Sequence, residues 1–476
     1  MKEMYVCNSS ALGEGPVGVE RQEKIEQLRI IVNGTDALGQ CVLGNLFGLG
    51  INNILYFDDS KRADRSRPWF LYGDDFKAGM QQNIAVLGAL NDINPDVNII
   101  SRHGTFCEPL VGDFEPDAII DTTNNPESKK AALHYALASY RTSIPFISCS
   151  ATIHASKMTC YWPSNTSRRK IFPERPSLVD LLHEDMSGEL QQVYPSGVVA
   201  GLCTEELRKM VFSYTDLDKR AKSNRVFAYN RLSSVRNSID SDMRKDTLSQ
   251  YRGKKVLIAG AGALGNWASA YVANLGIGHV DIVDFDIAET KNLNRQLQLR
   301  GRIGHKKATA VSQRHAAIDK HANVRPIENM LADSSADVPV VDRVSMAQEH
   351  YDVILGCLDN KYARQWLDAF SREFSIPYVD GGTHPREGQC AVYIPGVTKP
   401  IGEQLGLASW PEIKRVSCAE QKNPSVVMSN CIIASIMVGE MLNVFDYAFQ
   451  KNPLKSRIQY DTQNDERLYV QYVRER

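Results

Sequence analysis

Short apolar runs alternate with helix-length stretches along the chain. Arg29–Val32 is mostly apolar and leads into a glycine-containing turn, and Lys255–Ile258 does the same. A helix-length stretch follows each turn. A second apolar run then closes on an acid, Ile54–Asp58 in one case and Val280–Asp284 in the other. A third run closes at Ile119–Ile120 and at Ile354–Leu355. Strands alternating with helices predict an α/β fold whose parallel strands are joined by right-handed crossovers. The tail Ile458–Val473 alternates apolar and polar residues around DTQNDE, the pattern of a β-hairpin that adds edge strands to the second unit.

The two series are copies of one another. At a constant offset of 226, Ala37-Leu38-Gly39 matches Ala263-Leu264-Gly265, Leu49-Gly50-Ile51 matches Leu275-Gly276-Ile277, and Asp58 matches Asp284. Further on, DAIIDTTNN (Asp117–Asn125) parallels DVILGCLDN (Asp352–Asn360), and Ile144-Pro145-Phe146 parallels Ile376-Pro377-Tyr378. Pro195-Ser196 precedes VVAGLC as Pro424-Ser425 precedes VVMSNC. The expected organisation is two tandem Rossmann-like parallel-sheet domains forming a covalent pseudo-dimer. Residues 1–215 form one unit, 216–252 a polar and partly helical linker, and 253–476 the other. Ser164–Ser196 reads as an insertion in the first copy.

With 55 Lys plus Arg against 56 Asp plus Glu, the net charge of −1 disfavours a polybasic nucleic-acid binder and an acidic tail. Neither nucleic acid nor membrane is an expected partner. The longest apolar stretches, Val42–Ile51 and Cys431–Val438, are shorter than the roughly 18–20 residues of a membrane span. The first residues show no signal-peptide core. The ten cysteines are scattered without a C-x-x-C pair, so neither a disulfide framework nor a zinc site is expected. A cytoplasmic location follows as an expectation.

Gly260, Gly262 and Gly265 follow a strand and open a helix. Backbone N–H groups at such a turn approach phosphate, and the helix N-terminus favours an anion. Asp284 ends the next strand, where an acid meets ribose hydroxyls. In the first copy Asp36 stands in the place of Gly262, and a carboxylate there blocks and repels phosphate. A dinucleotide oxidoreductase is the ordinary reading of this turn. Lys291, Asn292, Arg295, Lys306 and Lys307 follow Asp284, however, and Asp359 ends a later strand. Cations after the second strand and an acid at a strand end suit a nucleoside triphosphate with Mg²⁺.

The order VDFDIAETKNLNRQ, GHKK, LDN, EGQCAVYIPG and SCAEQKNPSVV over residues 254–445 resembles the MoeB/ThiF/ubiquitin-activating-enzyme superfamily. That resemblance implies ATP-dependent adenylation of the C-terminal carboxylate of a ubiquitin-like protein. It implies ribose binding by Asp284, phosphate binding by Asn292, Arg295 and Lys307, and Mg²⁺ binding by Asp359. In the first copy Trp69, Ser66, Gln82 and Asn124 replace Arg295, Asn292, Lys307 and Asp359, while Asp58 keeps the ribose acid. The first copy is thus similar to the inactive adenylation domain of eukaryotic activating enzymes, whose partner subunit supplies an arginine. Arg21 fits that place, against a plain solvated-helix reading.

Cys418, just before a helix rich in small and apolar residues, matches the cysteine that MoeB and ThiF carry there. A lowered thiol pKa at a helix start would let it take the acyl group as a thioester. A conjugating enzyme would then receive it. The chain departs from MoeB and ThiF in lacking their paired C-x-x-C zinc ligands, and from the large eukaryotic enzymes in lacking a separate cysteine domain. Adenylation of a short peptide or a sulfur carrier is an alternative, and NAD-dependent oxidation or a non-catalytic scaffold are others.

Overall fold

The computed structural model describes residues 3–58, 80–138, 144–152, 155–161, 181–182, 193–211, 227–230, 248–331, 340–410, 425–447, 455–462 and 468–472. The first copy builds a sheet from β1 (Arg29–Asn33), β2 (Asn53–Asp58), β3 (Asn98–His103), β4 (Ala118–Asp121), β5 (Phe146–Ala151), β6 (Ala155–Tyr161) and β7 (Phe227–Asn230). Its strand order is β3-β2-β1-β4-β5-β6-β7. The second copy uses β8 (Lys255–Ala259), β9 (His279–Val283), β10 (Asn323–Ile327), β11 (Val353–Gly356), β12 (Tyr378–Thr383) and β13 (Glu387–Tyr393). The expected hairpin, β14 (Lys455–Asp461) and β15 (Leu468–Tyr472), extends this sheet to β10-β9-β8-β11-β12-β13-β14-β15. β1 to β5 and β8 to β12 pair in parallel, and the later strands pair antiparallel. The central strands β4 and β11 are buried at every position. Helices cover both faces of such a sheet, so its strands read as continuous apolar runs rather than alternating ones.

In each sheet the chain winds outward from the first strand and then reverses past it, between β1 and β4 and between β8 and β11. At such a reversal, doubly wound folds bind ligands outside the carboxyl ends of the strands. The turns there lead into α3 (Ala37–Leu49) and α7 (Ala263–Asn274). The remaining helices used below are α1 (Val6–Leu12), α2 (Gly15–Gln27), α4 (Gln82–Ile93), α5 (Pro126–Ala138), α6 (Val193–Arg208), α8 (Lys307–Ile318), α9 (Lys361–Glu373) and α10 (Val427–Asp446).

One apolar core runs through both halves. Helices α3 and α6 of the first half meet α7 and α10 of the second. Gly197 and Gly201 on α6 let the helices close: a Cβ at Gly201 would stand 2.5 Å from Ile432 Cγ1. Cys431 is held within this seam. Asn45 Nδ2 donates to its sulfur at 3.1 Å, and the thiol donates to Gly197 O at 3.2 Å. This is core packing, as is the full burial of Cys390.

Two features differ from the expected organisation. Phe227–Asn230, within the expected linker, is a strand on β6 and belongs to the first sheet. Most of the rest of 216–252, and most of the Ser164–Ser196 insertion, lie outside the described residues. Secondly, the Cys431–Val438 stretch belongs to a helix of 20 residues that is long and apolar enough to cross a membrane. In the fold it is a core helix, with 89% of its most apolar window buried.

Candidate functional site

The β8–α7 turn owes its shape to two glycines and its vacancy to a third. Gly260 has φ +101°, and a Cβ there would stand 2.5 Å from Cys357 O. A Cβ on Gly265 would collide with Gly260 O. These two positions are required for the fold. Gly262 is different: its backbone is extended (φ −71°, ψ −156°), and an added Cβ would meet nothing within 4 Å. No local packing demands glycine there, so the open space faces outward from the N-terminus of α7.

The neighbouring side chains are tied to this turn by hydrogen bonds. Asp284 accepts from Ala261 N at 2.7 Å and from Asp286 N at 2.8 Å. Burial pushes its carboxyl above the ordinary range; Lys307 opposes that shift and Asp286 adds to it. Lys307, the first residue of α8, is buried and donates to Asp286 Oδ2 at 3.1 Å. Lys306 turns instead to Phe285 O at 2.8 Å. Asn266 on α7 binds Ala261 O at 2.8 Å, and its Oδ1 receives Gln298 N at 2.9 Å. The 290–298 segment is thereby fastened to the glycine turn. Within it, Asn292 Oδ1 accepts from Glu289 N at 2.9 Å and shapes a 3₁₀ turn. Arg295, buried, donates through Nη1 to Asn294 Oδ1 at 2.7 Å.

Asp359 is exposed in the loop between β11 and α9. Cys357 is buried two residues earlier, beneath the glycine turn, and burial raises its thiol pKa. The loop is held by a residue that sequence reasoning missed. Arg364 on α9 pairs with Asp380 and donates to Leu358 O at 2.6 Å and Gly381 O at 2.7 Å. A fully buried ion pair is costly to break from one side. The first copy keeps a cation on the matching helix, but Lys129 meets Asp121 at 2.7 Å, on the neighbouring strand. Asp380 lies within a strand and Arg364 on a helix, a signal too common to single out from sequence.

Arg21 lies on α2 with Nη1 donating to Leu12 O at 2.7 Å. Among the described residues, Asn8 of the first half hydrogen-bonds the 290–298 segment: its Oδ1 accepts from Asn294 Nδ2 at 2.8 Å. Cys418 and its neighbours 411–424 lie outside the described residues, as do Ser66 and Trp69.

The first copy has the same turn with the vacancy filled. Gly34 has φ +105°, and a Cβ there would meet Thr123 N at 2.8 Å. Gly39 is crowded by Gly34 O. The fold-bearing glycines are retained. At the third position Asp36 has almost the backbone of Gly262 (φ −63°, ψ −172°) and adds a carboxylate. Gln82 starts α4 as Lys307 starts α8, and bends back to Thr35 O at 2.6 Å.

Two doubly wound sheets, one of them with an open glycine turn, define a tandem Rossmann-like architecture. The chain belongs to the ThiF family, whose model matches residues 9–247 and again 235–476. A molybdopterin-synthase adenylyltransferase of Haemophilus influenzae is 30% identical over 166 residues, covering 35% of this chain and 63% of that protein. The protein of that name in Escherichia coli is 32% identical over 140 residues, 29% of this chain and 53% of its own. A Mycobacterium tuberculosis protein described as "Probable adenylyltransferase/sulfurtransferase MoeZ" is 34% identical over 214 residues, 44% of this chain and 52% of its own. The chain thus spans between 52% and 63% of the length of these relatives.

Proposed function

We propose that the second half binds ATP and adenylates the C-terminal carboxylate of a ubiquitin-like protein. The observation that carries this reading is the contrast between two turns of one backbone. The turn is open at Gly262, with Asp284, Lys307 and the Arg295 segment tied around it, and filled at Asp36. A family whose named relatives include adenylyltransferases supports adenylation over hydride transfer.

In this reading Asp284 receives the ribose hydroxyls, and the α7 N-terminus with Gly262 receives phosphate. Arg295 and Lys307 neutralise the charge on the departing oxygens, and Asn292 keeps the turn of Arg295 in shape. The partner's carboxylate oxygen attacks the α-phosphorus. The bond to the bridging oxygen breaks, and pyrophosphate leaves with that electron pair. An exposed carboxylate beside substrate phosphates fits Mg²⁺, which takes few protein ligands. Asp359 would hold it, and the ion when bound adds positive charge to the triphosphate. Arg21 keeps the role of the first half's phosphate cation, and Arg21→Ala is expected to weaken exchange. The partner's tail carries the adenylate to Cys418, which takes the acyl group and releases AMP. A conjugating enzyme is the acceptor after that.

The relatives' names favour a second reading in which the partner is a sulfur carrier. ATP–pyrophosphate exchange with each candidate partner separates the two. Exchange should require the partner's free C-terminus and fall by at least about a hundredfold in Asp359→Ala, the scale of losing one charge-stabilising group. Undiminished exchange in that variant sinks the assignment of Asp359.

A further inference from the structure

We infer that Asn8, in the half with the filled turn, is a positioning residue for Arg295. The inference rests on the ATP reading above and says what the first half does for it. Asn8 is buried on α1 and donates through Nδ2 to Gly48 O at 2.8 Å and Leu49 O at 3.2 Å. These are carbonyls at the C-terminus of α3, where a helix leaves its last acceptors without intrahelical donors. Tyr5 and Gln22 cap the same end, on Phe47 O at 3.2 Å and Leu49 O at 3.1 Å. The N-terminal segment is thus locked to α3, and Asn8 carries that lock across to the other half.

The direction of every bond in the chain is determined by its two ends. Carbonyls only accept, so the amide nitrogen of Asn8 must face Gly48 and Leu49. Its Oδ1 then faces Asn294, which must donate. Asn294 Oδ1 in turn faces Arg295, and a guanidinium only donates. The relay runs Arg295 to Asn294 at 2.7 Å, Asn294 to Asn8 at 2.8 Å, and Asn8 to α3. Neither amide can flip without setting like groups against each other. The backbones are close as well: a Cβ at Gly48 would stand 2.5 Å from Asn294 O.

The chemistry of the relay suits an anion-binding arginine. A carboxylate in the place of Asn294 would orient the guanidinium but neutralise it. Two neutral amides orient it without bringing a counter-charge of their own. Asn8 and Asn294 are almost fully buried, so solvent does not compete for these bonds. The half with the filled turn is retained, on this view, because the open site borrows its rigidity.

The test is a double-mutant cycle on the full chain, with ATP and AMP affinities measured by calorimetry. Asn8→Ala is expected to weaken ATP about tenfold, the scale of a lost bond to a charged group, while AMP binding changes less than about twofold. Asn294→Ala should do the same and leaves the Asn8 cap on α3 in place, so it serves if Asn8→Ala does not fold. In Arg295→Ala the further loss of Asn8 should cost nothing more, because the two act as one unit. Full additivity, or equal loss of ATP and AMP, overturns the relay and leaves Asn8 a fold-bearing residue. If Arg295→Ala itself leaves ATP affinity unchanged, the phosphate reading fails first and the relay with it.

Discussion

Replacing Gly262 with Asp rebuilds the first copy's turn in the second. The backbone accepts it: Asp36 holds nearly the same angles, and a Cβ at 262 meets nothing within 4 Å. The folded protein should therefore melt within a degree or two of wild type. The phosphate would meet a carboxylate. Two unit charges about 4 Å apart repel by about 4 kcal/mol at an effective dielectric of about 20. Solvent at the half-buried mouth reduces this to roughly 2–3 kcal/mol, or about 30- to 160-fold weaker ATP binding. Thermal denaturation with and without ATP reads both effects. At a hundred times its Kd, ATP stabilises wild type by about 2.7 kcal/mol; a hundredfold weaker variant gains only about 0.4 kcal/mol. Gly262→Asn separates charge from bulk and should retain most of the shift. Gly265→Ala is the opposite control, because its Cβ collides with Gly260 O and lowers the melting temperature whether or not ATP is present. If Gly262→Asp keeps the full ATP shift, phosphate does not bind at this turn.

Cys418→Ala should leave ATP–pyrophosphate exchange intact while abolishing any thioester seen on non-reducing gels; loss of both would place the thiol in adenylation. His315 on α8 is buried, bonded to Ser269 at 3.0 Å, and burial holds its pKa near 4 against an ordinary 6.5. The unfolded chain takes up a proton below pH 6.5 while the folded protein does not, so stability falls as pH drops from 6.5 toward 4, by roughly 3 kcal/mol in all. His315→Gln should flatten that part of a pH series of urea unfolding curves, and an unchanged slope would rule it out. At the seam, a Cβ on Gly197 would stand 2.8 Å from Tyr271 Cζ, so Gly197→Ala should cost about 1–3 kcal/mol by denaturant unfolding.

Much of this molecule is legible in its sequence because the signals are local. The repeat shows as matched turns and strand ends, and the hairpin as an alternating tail. The glycine turn, the acid at Asp284 and the loss of Gly262's counterpart at Asp36 are visible in single short segments. Arg295, Lys307 and Asp359 stand out because charged residues near strand ends have few structural uses. The strand at Phe227–Asn230 was hidden by its polar surroundings, since pairing on β6 depends on a partner some seventy residues earlier. The membrane-length helix could be judged only from what surrounds it.

Residue types at turns and strand ends, then, determined the fold class, the duplication and which copy keeps an open turn, because those follow from backbone sterics and charge at single positions. Tertiary structure alone decided how the copies contact one another. Asn8 and Asn294 are 286 residues apart in the chain and 2.8 Å apart in the fold. Arg364 grips the Asp359 loop only because β12 brings Asp380 beside it. Neither contact has a local signature, since a hydrogen bond between elements depends on where packing places both ends.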